Sequence, residues 1–177
     1  GERGEQSRLV DQDRQRRVLD VDRLLHTFRV NAGLPSSAEP LGGWEAPKGE
    51  LRGHFVGHYL SACALMYAST GDERLKGKGD AVVAGLAECQ AKFPSGYLSA
   101  YPEEFFDRVE ARQRVWAPYY TLHKIYAGLL DAHRHCGSAQ ALEILRGMAD
   151  WLDGRFGQMP RERSSSARTD WAWGSPC

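Results

Sequence analysis

Two histidines four residues apart are the clearest candidates for chemistry in this sequence. His54 and His58 project from one face if their segment is helical, because residues four apart are neighbours on a helix. Gly53 and Gly57 stand directly before them and, lacking side chains, let another group approach closely. The pair therefore fits a ligand-binding site.

A metal site and a buried structural role are the alternatives for this pair. The spacing suits a metal, but the metalloprotease pattern requires Glu directly after the first histidine, where this chain has Phe55. Two core histidines, each hydrogen-bonded to a neighbouring element, also fit. Spacing alone leaves all three interpretations open.

A second candidate is a segment in which aromatic and acidic residues alternate. Flat aromatic faces beside carboxylates suit a sugar, which offers both C–H faces and hydroxyl groups. A cluster that pins a loop onto the helices would account for part of the same enrichment. The eight aromatic residues are Phe93, Tyr97, Tyr101, Phe105, Phe106, Trp116, Tyr119 and Tyr120, interleaved with Glu103, Glu104, Asp107 and Glu110.

The other histidines and the cysteines carry weaker signals. His123 directly follows Leu122, a member of an apolar stripe. A single histidine beside an apolar face is more often a core residue than a ligand. The four cysteines are far apart and form no C-x-x-C pair, so neither a disulfide framework nor a zinc ribbon is indicated. No Ser-His-Asp order, phosphate loop or dinucleotide fingerprint occurs.

The elements that must position these residues are helices. Apolar residues recur at three- and four-residue steps, which predicts an all-α fold of five helices and one short helix opening at Pro102. Thr70 and Glu73 have capping-box spacing, and Ser138 suits an N-cap. The predicted stripes run from Val18 to Phe28, Leu51 to Met66, Leu75 to Phe93, Leu122 to Ala132 and Leu142 to Leu152.

The helices also show an internal repeat. Gly71-Asp72 and Gly137-Ser138 each join two long helices, and the two turns lie 66 residues apart. We therefore expect stacked helical hairpins, which bury their faces only against neighbouring units.

Composition fits one soluble domain. The 177 residues are 42% hydrophobic, and 23 basic residues balance 23 acidic ones, which argues against disorder and against nucleic acid as a partner. No apolar run is long enough to span a membrane, and no signal peptide is visible, so localisation is unassigned.

Four stretches together resemble the N-terminal part of the β-L-arabinofuranosidases of glycoside hydrolase family 127. Residues 42–45 read GGWE, 51–62 read LRGHFVGHYLSA, 96–103 read GYLSAYPE and 115–124 read VWAPYYTLHK. The resemblance implies part of an α/α toroid of six helical hairpins, incomplete in this chain, and retaining cleavage of β-L-arabinofuranosides. It also implies a zinc ion held by three cysteines and a glutamate, with a cysteine nucleophile and a glutamate acid/base.

The resemblance also assigns residues. His123 matches a helix histidine that contacts the sugar, and His54 and His58 match an inner helix that faces the pocket. Tyr101, Glu103 and Trp116 match the loop beside the pocket. The resemblance thus implies six substrate-binding residues and raises His123 above the core interpretation.

The chain departs from the family toward its C-terminus. The family's zinc ligands and catalytic residues lie downstream of the matching region, so no catalytic residue, metal ligand or cofactor is assigned to this chain. We expect residues 1–160 to be the N-terminal portion of the catalytic domain and 161–177 to be a divergent tail. The divergence suggests a truncated or frame-shifted product without turnover of its own.

Two functions remain at this point. The first is a glycoside hydrolase fragment that contributes part of the pocket for an arabinofuranoside-type glycan. The alternative is a helical-hairpin module that binds a protein through its aromatic loop. An incomplete ring would expose apolar faces, so self-association is expected as well.

Overall fold

The computed structural model describes residues 20–157, and within that range every regular element is helical. A short 3-10 turn spans Gly43–Glu45. The predicted boundary at residue 160 and the tail 161–177 lie outside the described residues. The helices are α1 (Val21–Asn31), α2 (His54–Thr70), α3 (Glu73–Gln90), α4 (Glu104–Glu110), α5 (Pro118–Cys136) and α6 (Ala139–Gly157).

The predicted repeat is present as two antiparallel hairpins. Helices α2 and α3 are joined at Gly71, and α5 and α6 at Gly137. Both glycines adopt left-handed backbone conformations, with φ of 68° and 70°, which end the preceding helix. Ser138 caps α6 as predicted, because its Oγ accepts the Ala141 N–H at 3.2 Å.

Helices α2 and α5 run parallel and pack closely. The Thr121 hydroxyl donates to the Leu51 carbonyl, and the Ser61 hydroxyl donates to Asp131. Both contacts join residues 70 positions apart, so the two helices advance in the same direction. Their N-terminal ends therefore lie at the same end of the molecule.

The remaining helices cover this pair. Helices α3 and α6 pack against α2 and α5 respectively and against each other, and α1 packs on α3. The Gln90 side chain ties α3 to α6 by donating to the carbonyls of Gly96 and Ile144. Two parallel helices, each with an antiparallel partner outside it, form the repeating unit of an α/α toroid.

The buried face of α2 differs from the predicted stripe. Leu51 and Tyr59 of that stripe are buried, together with Val56, Leu60 and Cys63, whereas Met66 is 51% exposed and Ala62 is also exposed. The apolar pattern misled because Gly57, which has no hydrophobic side chain, occupies the centre of the contact with α5. Burial of a glycine backbone leaves no trace in a hydrophobicity pattern.

The predicted capping box is also wrong. Asp72, not Thr70, caps α3, and its carboxylate accepts the Arg74 N–H at 3.0 Å. Thr70 is the last residue of α2 and donates its hydroxyl to the Met66 carbonyl. The two-residue turn between the helices leaves only Asp72 with the extended backbone that a cap requires.

The aromatic loop between α3 and α5 is largely core. Tyr97, Tyr101 and Phe106 are fully buried, and the rings of Phe106 and Trp151 lie 5.1 Å apart. The short helix expected near Pro102 is present as α4. No described helix is long and apolar enough to cross a membrane.

Candidate functional site

The candidate site lies where the N-terminal ends of α2 and α5 meet the 3-10 turn. The turn supplies Trp44 and Glu45, α2 supplies His54 and His58, and α5 supplies a third group of side chains. The α5 residues are Tyr120, His123 and Lys124, which share one face because they stand three and four positions apart.

Glu45 is a buried carboxylate that anchors the start of α2. Its Oε2 accepts the Gly53 N–H at 2.6 Å, and its Oε1 accepts the Phe55 N–H at 2.9 Å. Its Oε1 also lies 2.6 Å from His54 Nδ1. The carboxylate thus satisfies backbone donors that the first turn of a helix leaves without intrahelical partners.

The His54 ring is held at one nitrogen and surrounded by other rings. Its Nδ1 contacts Glu45 and also the Leu51 carbonyl at 2.9 Å. The rings of Trp44 and Tyr120 are each centred 6.3 Å from it. The His58 ring meets it edge-on at 5.8 Å.

The electrostatic setting distinguishes His54 from its neighbours. Burial favours a lower pKa for His54, but the hydrogen bond and charge of Glu45 outweigh it, so the pKa is raised. Burial and then the charge of Lys124 lower the pKa of both His58 and His123. The site therefore holds one imidazole that protonates more easily than an isolated histidine and two that protonate less easily.

His58, His123 and Trp116 are the exposed members of the predicted set. His58 sits one turn after His54 on α2, and His123 lies one turn after Tyr120 on α5. Trp116 is 51% exposed, and its backbone N–H donates to Glu50 at 2.8 Å, which fixes the chain just before α5. The structure thus brings His54 and His58 together, and it places His123 and Trp116 on the adjoining α5 segment.

Tyr101 lies elsewhere, inside the core. Its side chain is fully buried, and its hydroxyl donates to the Pro118 carbonyl at 2.5 Å. The Tyr97 hydroxyl donates in turn to the Tyr101 carbonyl at 2.5 Å. This chain of bonds fixes the first residue of α5 and leaves no surface of the Tyr101 ring exposed.

Glu103 also contacts protein groups. Its Oε2 accepts the Trp151 Nε1–H at 2.8 Å and lies 3.9 Å from the Arg155 guanidinium. Arg155 pairs further with Asp107 and Glu110, so this cluster joins α4 to α6. Sugar binding by Tyr101 and Glu103 stays a prediction.

Four site residues are not among the six assigned from the sequence: Trp44, Glu45, Tyr120 and Lys124, although Tyr120 belongs to the aromatic segment singled out there. The GGWE stretch supported the family resemblance, yet nothing in its spacing linked Glu45 to a histidine nine residues later. Tyr120 and Lys124 could have been found from their positions one turn apart beside His123. Lys124 Nζ lies 4.8 Å from the centre of the Tyr120 ring, a cation–π contact.

The described residues do not fit the family's zinc site. No group of three or more His, Cys, Asp or Glu side chains within residues 20–157 is arranged to hold a metal. Cys63 and Cys89 are buried in the core, where burial raises the pKa of both thiols, to about 11 for Cys89. The site presents imidazole, carboxylate and aromatic groups.

These groups match the needs of a neutral polyol. Imidazoles donate and accept hydrogen bonds, and the exposed faces of Trp44 and Trp116 can cover the C–H groups of a sugar ring. The all-α arrangement of helical hairpins, with two parallel helices and an antiparallel partner on each, places the chain in the class of α/α-toroid proteins.

Comparison with known proteins identifies the family. Residues 7–169 match the family described as "Beta-L-arabinofuranosidase, GH127 catalytic domain". The chain therefore belongs to glycoside hydrolase family 127, and its functional class is that of a β-L-arabinofuranosidase-like glycoside hydrolase. No curated protein sequence matches the chain significantly. Nothing in the described residues favours the alternative of a protein-interaction module.

Proposed function

We propose that this site forms one wall of a pocket for an arabinofuranoside-type glycan. The observation that carries the proposal is the His54 ring, held by buried Glu45 and lying between Trp44 and Tyr120. His58 and His123 extend the wall along the two parallel helices. Of the six residues predicted from the sequence, four adjoin this wall in the proposal: His54, His58, His123 and Trp116. The other two, Tyr101 and Glu103, support it.

The chemistry of the wall suits a five-membered sugar ring. In the proposed mode, neutral His58 and His123 accept or donate hydrogen bonds to ring hydroxyls, while Trp44 or Trp116 covers the opposite C–H face. Trp44 is 67% exposed, so its face is accessible to a ligand. Sugar specificity would follow from buried polar groups that lose their partner when the wrong epimer binds.

Tyr101 and Glu103 have a supporting role in this proposal. Tyr101 holds the start of α5, and Glu103 holds Trp151 of α6. Both therefore influence the orientation of Tyr120 and His123 without direct contact with the sugar.

Calorimetric titration of the 177-residue chain tests the proposal. We expect methyl β-L-arabinofuranoside to give saturable heat, and methyl β-D-xylopyranoside to give none. His58→Ala and His123→Ala should each weaken binding about tenfold, the cost of one or two lost hydrogen bonds. His135→Ala is the matched control, because His135 is exposed at the other end of α5. No response to the arabinofuranoside, or equal losses in all three variants, would contradict the proposal.

We also propose that the chain self-associates through apolar residues on α2 and α5. Leu65 and Met66 are each 51% exposed, and Leu130 is 43% exposed. Exposed apolar side chains on adjoining helices favour association. Sedimentation velocity should show concentration-dependent oligomers that Leu65→Lys reduces and Val30→Lys, on α1, does not. A strictly monomeric chain would overturn this proposal.

A further inference from the structure

We propose that Glu45 is a positioning residue of this site, which fixes His54 in the tautomer that carries its proton on Nδ1 and leaves Nε2 for the ligand. The inference rests on the proposed function for the identity of the ligand. It concerns Glu45 itself, which the sequence-based assignment did not include.

Two hydrogen-bond acceptors lie beside His54 Nδ1. This atom lies 2.6 Å from Glu45 Oε1 and 2.9 Å from the Leu51 carbonyl oxygen. A carbonyl oxygen can only accept, and an ionised carboxylate can only accept. Two acceptors around one ring nitrogen require that this nitrogen carry the proton. The neutral ring then has an unprotonated Nε2.

The Glu45 carboxylate is itself held in place by the backbone. Two backbone N–H groups, from Gly53 and Phe55, donate to its oxygens at 2.6 and 2.9 Å. These donors belong to residues on either side of His54, so carboxylate and imidazole are fixed to the same turn of backbone. Hydrogen bonds from two backbone N–H groups hold the carboxylate in one orientation. Glu45 thus acts on His54 as an oriented, negatively charged acceptor.

Groups of opposite charge surround the His54 ring. Glu45 faces His54 from the 3-10 turn, Lys124 faces it from α5, and His58 adjoins it on α2. Lys124 opposes protonation of His54, whereas Glu45 favours it, and the net effect is a raised pKa after the cost of burial is included. Glu45, with a smaller contribution from the Leu51 carbonyl, thus offsets both burial and Lys124.

The consequence concerns the second ring nitrogen. Within residues 20–157, the hydrogen bonds of the His54 ring all involve Nδ1. Nε2 is then the atom that accepts from a sugar hydroxyl in the neutral ring or donates to a sugar oxygen in the protonated ring. Histidines that bind metals are oriented in the same way, by an acceptor that holds the N–H of the ring nitrogen not used for binding.

Nuclear magnetic resonance of the uniformly ¹⁵N-labelled 177-residue chain tests the inference. Long-range ¹H–¹⁵N correlations report which ring nitrogen carries the proton. We expect neutral His54 to be protonated at Nδ1. Neutral His54 protonated at Nε2 would overturn the inference without any variant, so the test does not depend on the folding of a mutant.

The variant Glu45→Gln provides the second measurement. It should lower the pKa of His54, because the amide carries no negative charge, and weaken binding of methyl β-L-arabinofuranoside about tenfold. Glu143→Gln is the matched control, because Glu143 lies exposed on α6 and pairs only with Arg146 among described residues. A merely structural role for Glu45 predicts lower stability with an unchanged pKa of His54, and that result would refute positioning.

The two proposals can fail separately. If neutral His54 of the parent chain carries its proton on Nδ1 and its pKa responds to Glu45→Gln, but no arabinofuranoside binds the parent chain, positioning stands and the proposed function fails. If the parent chain binds the sugar and Glu45→Gln changes neither the His54 signals nor the affinity, the proposed function stands and positioning fails.

Discussion

Gly57 of α2 and Gly128 of α5 bring the backbones of the two parallel helices into direct contact. A Cβ atom on Gly128 would lie 2.8 Å from the Gly57 Cα atom, and a Cβ atom on Gly57 would lie 2.7 Å from the Ile125 nitrogen. Side-chain motion cannot relieve either overlap because the atoms met are backbone. This contact therefore sets the separation of α2 and α5, and with it the distance between the histidines of α2 and the site residues of α5.

We predict that Gly57→Ala destabilises the chain by about 3 kcal/mol or more, because the helices must separate to admit a methyl group. Urea unfolding followed by circular dichroism measures the effect. The matched control is Gly77→Ala on α3, where an added Cβ meets nothing within 4 Å. That change should stabilise the chain by about 0.5–1 kcal/mol, since alanine is the better helix former. Equal effects of the two changes would disprove the close contact.

Tyr101→Phe should lower stability by about 1–2 kcal/mol while sugar affinity changes less than twofold. The change removes the hydroxyl that donates to the Pro118 carbonyl and leaves that carbonyl without this buried donor. Unfolding and calorimetry on the same sample measure both quantities. A direct contact between Tyr101 and the sugar predicts the reverse, with unchanged stability and lost affinity.

Glu103→Ala should cost about 1 kcal/mol of stability, because Trp151 Nε1–H loses its acceptor. Glu103→Gln should restore most of this loss, since an amide oxygen still accepts. The exposed neighbour Glu104 provides the control variant, Glu104→Ala. A loss of sugar affinity at unchanged melting temperature would instead place Glu103 in direct contact with the ligand.

The pair of Glu45 and His54 also predicts a pH dependence of stability. The folded-state pKa of His54 is raised above its ordinary value of 6.5, so its contribution is complete below that pH and is lost as the pH rises through the folded-state pKa. The stability difference between the parent chain and Glu45→Gln should therefore be larger at about pH 5.5 than at about pH 8.5. Urea unfolding at both pH values measures it, and a difference that grows with pH contradicts the prediction.

Comparison with Glu45→Gln separates His54 from His123. Burial and Lys124 lower the pKa of His123, so its contribution to stability is present at high pH, lost on acidification, and common to both chains. His58 also senses the charge of Glu45, which raises its pKa, so Glu45→Gln lowers the pKa of His58 as well and adds to the difference in the same direction.

The all-α fold and the hairpin repeat were predictable because they depend on local signals. Apolar periodicity marks helices, and Gly71 and Gly137 end them with the left-handed backbone that glycine adopts easily. The same local reasoning placed the capping box at Thr70, since it could not show that α2 continues through that residue. A boundary residue can belong to either of two adjacent helices, and the sequence pattern does not show to which one it belongs.

The site was only half predictable for a related reason. His54 and His58 lie on one helix, so their spacing in the sequence was enough to predict that they are neighbours. The contact between Glu45 and His54 depends on the conformation of the loop that joins them, which the spacing does not give. Tyr101 was prominent in sequence because it is aromatic, but burial rather than residue type decides whether such a ring meets ligand or core. Contacts between elements depend on the packing of the whole domain.

The parallel course of α2 and α5 also affects the electric field at the site. Each helix macrodipole places about half a positive elementary charge at the N-terminus, and helices of 17 and 19 residues present these ends side by side. Glu45 offsets part of this charge at α2. In the proposed site, the remaining potential would attract the electron-rich oxygens of a neutral ligand. The backbone itself thus contributes to recognition before any side chain makes contact.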